Sequence, residues 1–240
     1  MKYPVAALCF SAVLLPASIA FGQTQAPSSP PPGPKARPSA AISPSGSASP
    51  SASFSQKDYE ERVQMLKERI GAASQTVMVR IMNQEKDVRN RFAYFQKPER
   101  LDPNNFATKE EIGPWRTLLD EFKQSKDLAA KLYLNADADL DNALTNQHLT
   151  RKIVDPIRKE LISTFPWENI NKRNQLLQNY IDQHRSLLDF FTANWGTWSK
   201  GAEEKPVFSD PKLAAAYQEI RDKVTALGKQ ITDLNEKILQ

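Results

Sequence analysis

From residue 55 onward, apolar side chains recur at spacings of three and four almost without interruption. Tyr59, Val63, Leu66, Ile70, Val77, Ile81, Val88, Phe92 and Phe95 form the first stripe, a spacing that puts them on one face of an α-helix. Tyr59, Ile70, Ile81 and Phe92 stand eleven apart, which suits a nearly straight helix. Ser55 is its candidate N-cap, with Phe54 and Tyr59 placed as a hydrophobic staple. Pro98 ends the run.

Thr108 and Glu111 have the spacing of a capping box, and Pro114 follows near the start of a second long helix. Its stripe is Trp115, Leu118, Leu119, Phe122, Ala129, Leu132, Tyr133, Ala136, Leu140, Ala143 and Leu144. Asp155-Pro156 predicts the start of a short helix through Ile157, Leu161 and Phe165. A further long helix is expected from about Glu168 to Trp195, with Ile170, Leu177, Tyr180, Ile181, Leu187, Leu188, Phe191 and Trp195 inward. Asp210-Pro211 starts the last helix, whose Leu213, Tyr217, Ile220, Val224, Leu227, Ile231, Leu234 and Ile238 alternate fours and threes.

Those last positions read as a coiled-coil seam, with Val224, Ile231 and Ile238 at a and Leu227 and Leu234 at d. The flanking Arg221, Lys223, Gly228 and Gln230 offer no Glu–Lys pairing to a parallel homodimer. Packing within one bundle is therefore the expectation, and a homodimer through residues 213–238 the alternative. Only five glycines follow residue 55, and no stretch sustains β-type alternation, which argues against a parallel α/β fold. The predicted fold over residues 55–240 is all-α: an elongated antiparallel bundle of about four long helices and a short one.

Composition changes the picture only upstream. Lys2 precedes an apolar run from Val5 to Ala20, with small residues at Ser18, Ala20 and Gly22. Residues 1–22 thus read as a signal peptide, cleaved after Ala20 or Gly22; an uncleaved anchor is the alternative. Residues 23–54 are rich in proline, serine and alanine and carry only Lys35 and Arg37 as charges, the composition of a disordered linker. The one cysteine, Cys9, is inside the apolar run, so cleavage would leave a mature chain without thiol chemistry. The expected location is exported, periplasmic or extracellular, with no transmembrane helix after cleavage.

The net charge of +4 and pI near 9.0 point to an acidic partner only until the charges are located. Lys2, Lys35 and Arg37 precede residue 55, whereas every acidic residue follows it. The helical part is thus close to neutral, and nucleic acid is not an expected partner. The stretch "VRNRFAYFQKPER" mixes Arg89, Arg91, Lys97 and Arg100 with aromatics, but helical register sends Phe92 and Phe95 inward.

Chemistry is suggested most directly by "NADADLDNA", residues 135–143. Asp137, Asp139 and Asp141 could fill the first, third and fifth positions of a calcium loop. The sixth would then be Asn142 where glycine makes the turn, and the twelfth His148 where a bidentate glutamate belongs. The apolar stripe passes through the segment in phase, so a continuous helix is expected. His184 falls on the seam of its helix and reads as a core histidine satisfied by a polar neighbour. Phe190, Phe191, Trp195 and Trp198 cluster within nine residues; Phe190, Trp195 and Trp198 are the candidate binding surface, or else they close one end of the bundle.

No zinc-type His spacing, nucleophile elbow or phosphate-cradling glycine loop occurs. The expected function is a non-enzymatic interaction or scaffold module of the cell envelope, with a protein partner and no cofactor. The alternative is a holdase-like periplasmic chaperone or a ligand-binding bundle.

Overall fold

The structure, a computed structural model, describes residues 56–238. The expected signal peptide, the linker and the Phe54/Ser55 start device lie outside the described residues. The chain divides into two units at Leu66 and Lys67. Of the first, the described part is the opening of helix α1 (Gln56–Phe95). Gln56 Nε2 donates to Glu60 Oε1 at 2.9 Å there, and Lys57 stands 3.9 Å from Glu61. Tyr59, expected on the inward stripe, is instead 62% exposed.

The second unit continues α1 and adds α2 (Ile112–Asn146), α3 (Arg151–Ser163), α4 (Trp167–Ala193) and α5 (Pro211–Ile238). It is an all-α bundle, as the stripes predict. Three 3-10 turns link α1 to α2. A short antiparallel hairpin, β1 (Trp198–Lys200) and β2 (Pro206–Phe208), separates α4 from α5. Among the described residues, no helix is long and apolar enough to cross a membrane.

The helix boundaries show which local signals prevail. Lys97 takes the extended backbone expected before a proline, and α1 stops. Glu111 reaches back to accept the Ala107 N–H at 2.9 Å, while the Thr108 side chain makes no capping bond. Only half of the capping box forms, one residue out of register. Asp210 Oδ1 accepts the Lys212 N–H at 2.8 Å, with Pro211 in the first turn of α5, as expected.

Asp155-Pro156 does not start α3. The helix begins at Arg151, and Pro156 sits inside it. Thr150 O accepts from Ile153 N at 2.9 Å and Val154 N at 3.0 Å, and Val154 is fully buried. Burying that valine requires a helical turn ahead of the proline. The apolar contact outweighs the N–H that Pro156 lacks.

Side-chain pairs fix the order of directions within residues 67–240. Arg91 meets Glu121 at 2.9 Å, and Ser125 donates to Asp87 at 2.6 Å, so α2 runs antiparallel to α1. Arg116 pairs with Asp189, and Arg185 with Asp120, making α4 antiparallel to α2. Tyr217 packs on Phe190 and Phe191 while Gly228 lies beside Tyr180, so α5 returns along α4. The seam of α5 is thereby turned into its own chain: Tyr217, Val224, Ile231 and Leu234 are buried.

The interior consists of two apolar clusters. One is rich in rings, with Phe92, Phe95, Phe106, Phe122, Tyr180, Phe191, Phe208 and Tyr217 joined by Leu119, Leu177, Val224 and Ile231. The other is mainly aliphatic, with Ala73, Val77, Ile81, Tyr133, Ala136, Leu140, Leu144, Val154 and Ile170. Between them, Glu85 of α1 forms a buried ion pair with Arg173 of α4; their side chains are 6% and 3% exposed.

Candidate functional site

The cluster read from "DFFTANWGTW" organises one end of the bundle. Helix α4 stops at Ala193, and Gly196 takes a φ of +83°. That left-handed conformation is open to glycine at little steric cost. Asn194 then satisfies the exposed end, its Nδ2 donating to Phe190 O at 2.9 Å and its carbonyl accepting from Thr197 N at 3.1 Å. The chain turns directly into the hairpin, in the register Trp198↔Phe208, Ser199↔Val207 and Lys200↔Pro206.

The hairpin is tightly specified at its tip. A Cβ on Gly201 would lie 2.3 Å from Val207 Cγ2 and 3.2 Å from Lys205 O. Glu204 has a φ of +62°, a region that residues other than glycine seldom adopt. Its side chain pairs with Lys200 at 2.8 Å, and its carbonyl accepts from Asn104 Nδ2 at 3.0 Å. The tip is thus tied both to itself and to the turns that follow α1.

Phe190, Trp195 and Trp198 are each half-buried. Trp198 packs edge-on to Trp195 at 5.2 Å between ring centres and lies 6.0 Å from Phe208, which Phe190 approaches at 5.7 Å. The three residues form one cluster, and its inner members reach the core through Phe191.

Beside the hairpin opens a pocket of about 400 Å³ that none of the three lines. Phe208, Ala214 and Tyr217 contribute its apolar side, with Pro98 and Pro206. The Tyr217 hydroxyl donates to Leu101 O at 2.9 Å, and burial pushes its phenol up to about 12. The rim carries Glu99, Asp102 and Glu204 together with Lys205 and Arg221, and the amides of Asn105 and Gln218. Asp102 also accepts the Asn104 N–H at 2.9 Å, fixing the turn that presents it. An aromatic floor with charges of both signs and two amides can hold a ligand by apolar contact, ion pairing and hydrogen bonds. Phe190 and Trp198 support that floor from behind.

Sequence reasoning missed this pocket because its walls come from three separate segments. The available signals were small: Pro98 and Pro103 in the turns after α1, and Gly201 and Pro206 around the hairpin.

The aspartates lie on α2, which runs unbroken to Asn146. Arg158 of α3 stands 3.2 Å from both Asp137 and Asp141, and Asp141 also pairs with Arg151. Asp139 points to the other side and meets Arg80 of α1 at 3.2 Å. Two of the three carboxylates hold α3, and the third binds α1. Among the described residues, no group of three or more His, Cys, Asp or Glu side chains is placed to hold a metal ion. The overlooked sequence signal was on the partner side: Arg151 and Arg158 are seven apart, two turns along one helix face.

His184 is buried at 2% exposure, as its place on the seam predicts. It packs on the rings of Tyr180 at 4.6 Å and Phe95 at 5.3 Å, and its Nε2 makes no hydrogen bond. Burial pushes its pKa down to about 3, so the imidazole is neutral. His148 follows α2 with a φ of +57°. In the basic aromatic stretch, Arg91 is held by Asp87 and Glu121, and Arg100 lies 4.0 Å from the Tyr94 ring centre and 4.4 Å from that of Trp115.

The Glu85–Arg173 pair was also missed. Each charge stands at an apolar position of its stripe, between Ile81 and Val88 and between Ile170 and Leu177. The Tyr133 hydroxyl adjoins the pair; burial, and then the Glu85 carboxylate, push its phenol up to about 12. Comparison of the chain with known protein families, curated proteins and solved structures finds no match.

Proposed function

We propose that this protein is an exported, non-enzymatic interaction module of the cell envelope, and that its partner engages the pocket beside the hairpin. The observation carrying this reading is the preformed recess: Phe208 and Tyr217 are fixed by ring packing, and the rim is set by the Asn104–Glu204 and Tyr217–Leu101 bonds. Interfaces use such concave, aromatic-floored sites with a polar margin. Export rests on residues 1–22, with their single lysine, apolar run and small residues. A mature chain beginning at Phe21 or Gln23 on N-terminal sequencing is expected; retention of Met1 in the exported chain would overturn export by cleavage.

A benzophenone side chain at Gln218, introduced into the full chain in the cells that make it, tests the pocket. Leu134, 81% exposed on α2, provides the control position. An adduct formed from Gln218, absent from Leu134 and abolished by Ala214→Trp, is the expected result. Equal adducts at both positions, or none at Gln218, would sink the assignment.

A second reading, a holdase-like chaperone, draws on the exposed Val79, Met82, Leu128 and Leu134. It requires suppression of an unfolded client's aggregation at near-stoichiometric ratio. No suppression at large excess eliminates it.

A further inference from the structure

The Glu85–Arg173 layer divides the bundle into two parts, and we propose that the α3-covered part opens as a unit while the aromatic part stays folded. The apolar interior is interrupted at one level on two helices, by Glu85 between Ile81 and Val88 and by Arg173 between Ile170 and Leu177, and on α2 the two clusters meet between Ala129 and Tyr133. Cooperativity across a bundle depends on continuous apolar contact, and separable units meet where that contact is thin. The layer is also imperfectly satisfied, because Glu85 Oε2 and Arg173 Nε make no hydrogen bond. Buried charges of this kind give back little of their desolvation cost. Opening one side admits water to them, which favours the half-open state over one in which the layer stays dry.

The α3 side is the one that yields. Its cover is a 13-residue helix interrupted by Pro156, with Val154 its one fully buried residue, and the ion pairs of Arg151 and Arg158 tie it to α2. The aromatic side is covered by the 28-residue α5, whose Tyr217, Val224 and Ile231 are buried. Lifting α3 exposes Tyr133, Leu140, Leu144 and Ile170 together. It leaves the pocket beside the hairpin unchanged.

Native-state hydrogen exchange of the full chain, read by mass spectrometry across sub-denaturing urea, tests this. Amides of 136–144 and 152–163 are expected to exchange through a shared opening with a smaller urea dependence than those of 177–191 and 217–231. Arg151→Ala/Arg158→Ala should speed the first set about fivefold, as loss of partly exposed pairs allows, and leave the second unchanged. Glu85→Leu/Arg173→Leu, which joins the two interiors, should merge the sets. Exchange of both sets through one common opening in the unaltered chain would overturn the proposal. So would equal acceleration of both by the arginine variant. Should the leucine variant not fold, the first two measurements still decide.

Discussion

The two halves of the bundle share α1, α2 and α4 but are held together by different means. Around Phe95, Phe122, Tyr180 and Phe191 the interior is a lattice of rings, sealed by α5 and the hairpin. Around Val77, Tyr133, Leu140 and Leu144 it is mostly aliphatic, and its cover α3 relies on Asp137 and Asp141. Rings contribute large buried area with few rotatable bonds, so the aromatic half can hold a pocket open without a ligand. Ion pairs that reach solvent, as those through Asp137 and Arg151 do, contribute little and are screened by salt. The α3 half is therefore built to be coherent but separable.

The boundary is where the comparison breaks most sharply. Arg173→Met leaves Glu85 buried without a partner, and loss of one member of such a pair destabilises by about 3–5 kcal/mol. Glu85→Leu/Arg173→Leu removes both charges and is expected to lie within about 1 kcal/mol of the original chain or above it. Urea denaturation of the three proteins checks the contrast. A single variant as stable as the original chain would mean that the layer is already hydrated.

That layer also marks the limit of what the sequence made legible. The stripes of α2, α4 and α5 specified which side chains are inward because helical periodicity is a property of one segment at a time. Leu119, Phe122, Leu177, Ile181, Val224 and Ile231 are all buried as their spacing predicts. Pairing is not such a property: Glu85 and Arg173 are 88 residues apart, and they meet only because the fold brings α1 and α4 within side-chain reach. The hairpin escaped because three-residue strands are too short to show alternation. The start of α3 was misplaced because Asp155-Pro156 is a strong local signal, whereas the burial of Val154 that overrides it is tertiary. The candidate site was half legible: the aromatic cluster stands in one segment, but the pocket needs Asp102, Glu204 and Tyr217 from three.

Acid should distinguish the halves next. His184 is in the aromatic half with a pKa lowered to about 3, against an ordinary 6.5. Between those values the unfolded chain binds a proton that the folded chain refuses. The contribution of His184 is therefore complete above pH 6.5 and is lost as pH falls toward 3, by about 1.4 kcal/mol per pH unit within that window. His184→Phe should flatten this slope. Denaturation at pH 7 and pH 5 is the measurement, and equal slopes for the two chains would show that the ring is hydrated when folded.

At the hairpin, Gly201→Ala tests whether the pocket rim is rigid. The new Cβ meets the end of the Val207 side chain, which can turn away, but also Lys205 O at 3.2 Å, which cannot easily do so. A loss of about 1–2 kcal/mol is expected, the usual range for overpacking a tight site. It should be accompanied by faster exchange of the Gly201 and Ser209 amides, whose bonds to Lys205 O and Thr197 O close the hairpin. Unchanged exchange there would mean that the rim adapts and the pocket is not preformed.

The smallest effect belongs to the aspartates, where the two halves should differ least from ordinary helix surface. Asp139→Ala removes one pair with Arg80, whose side chain is 58% exposed, and should change stability by less than about 1 kcal/mol. Asp137 and Asp141 already face Arg158, so a divalent cation would have to displace a guanidinium that is itself only 23% exposed. Calorimetric titration with calcium is expected to give no binding that depends on Asp139. Millimolar or tighter binding, lost in Asp139→Ala, would require α2 to unwind around Asn135. In that case the segment holding α3 would be a cation-dependent clamp rather than a helix face neutralised by arginine.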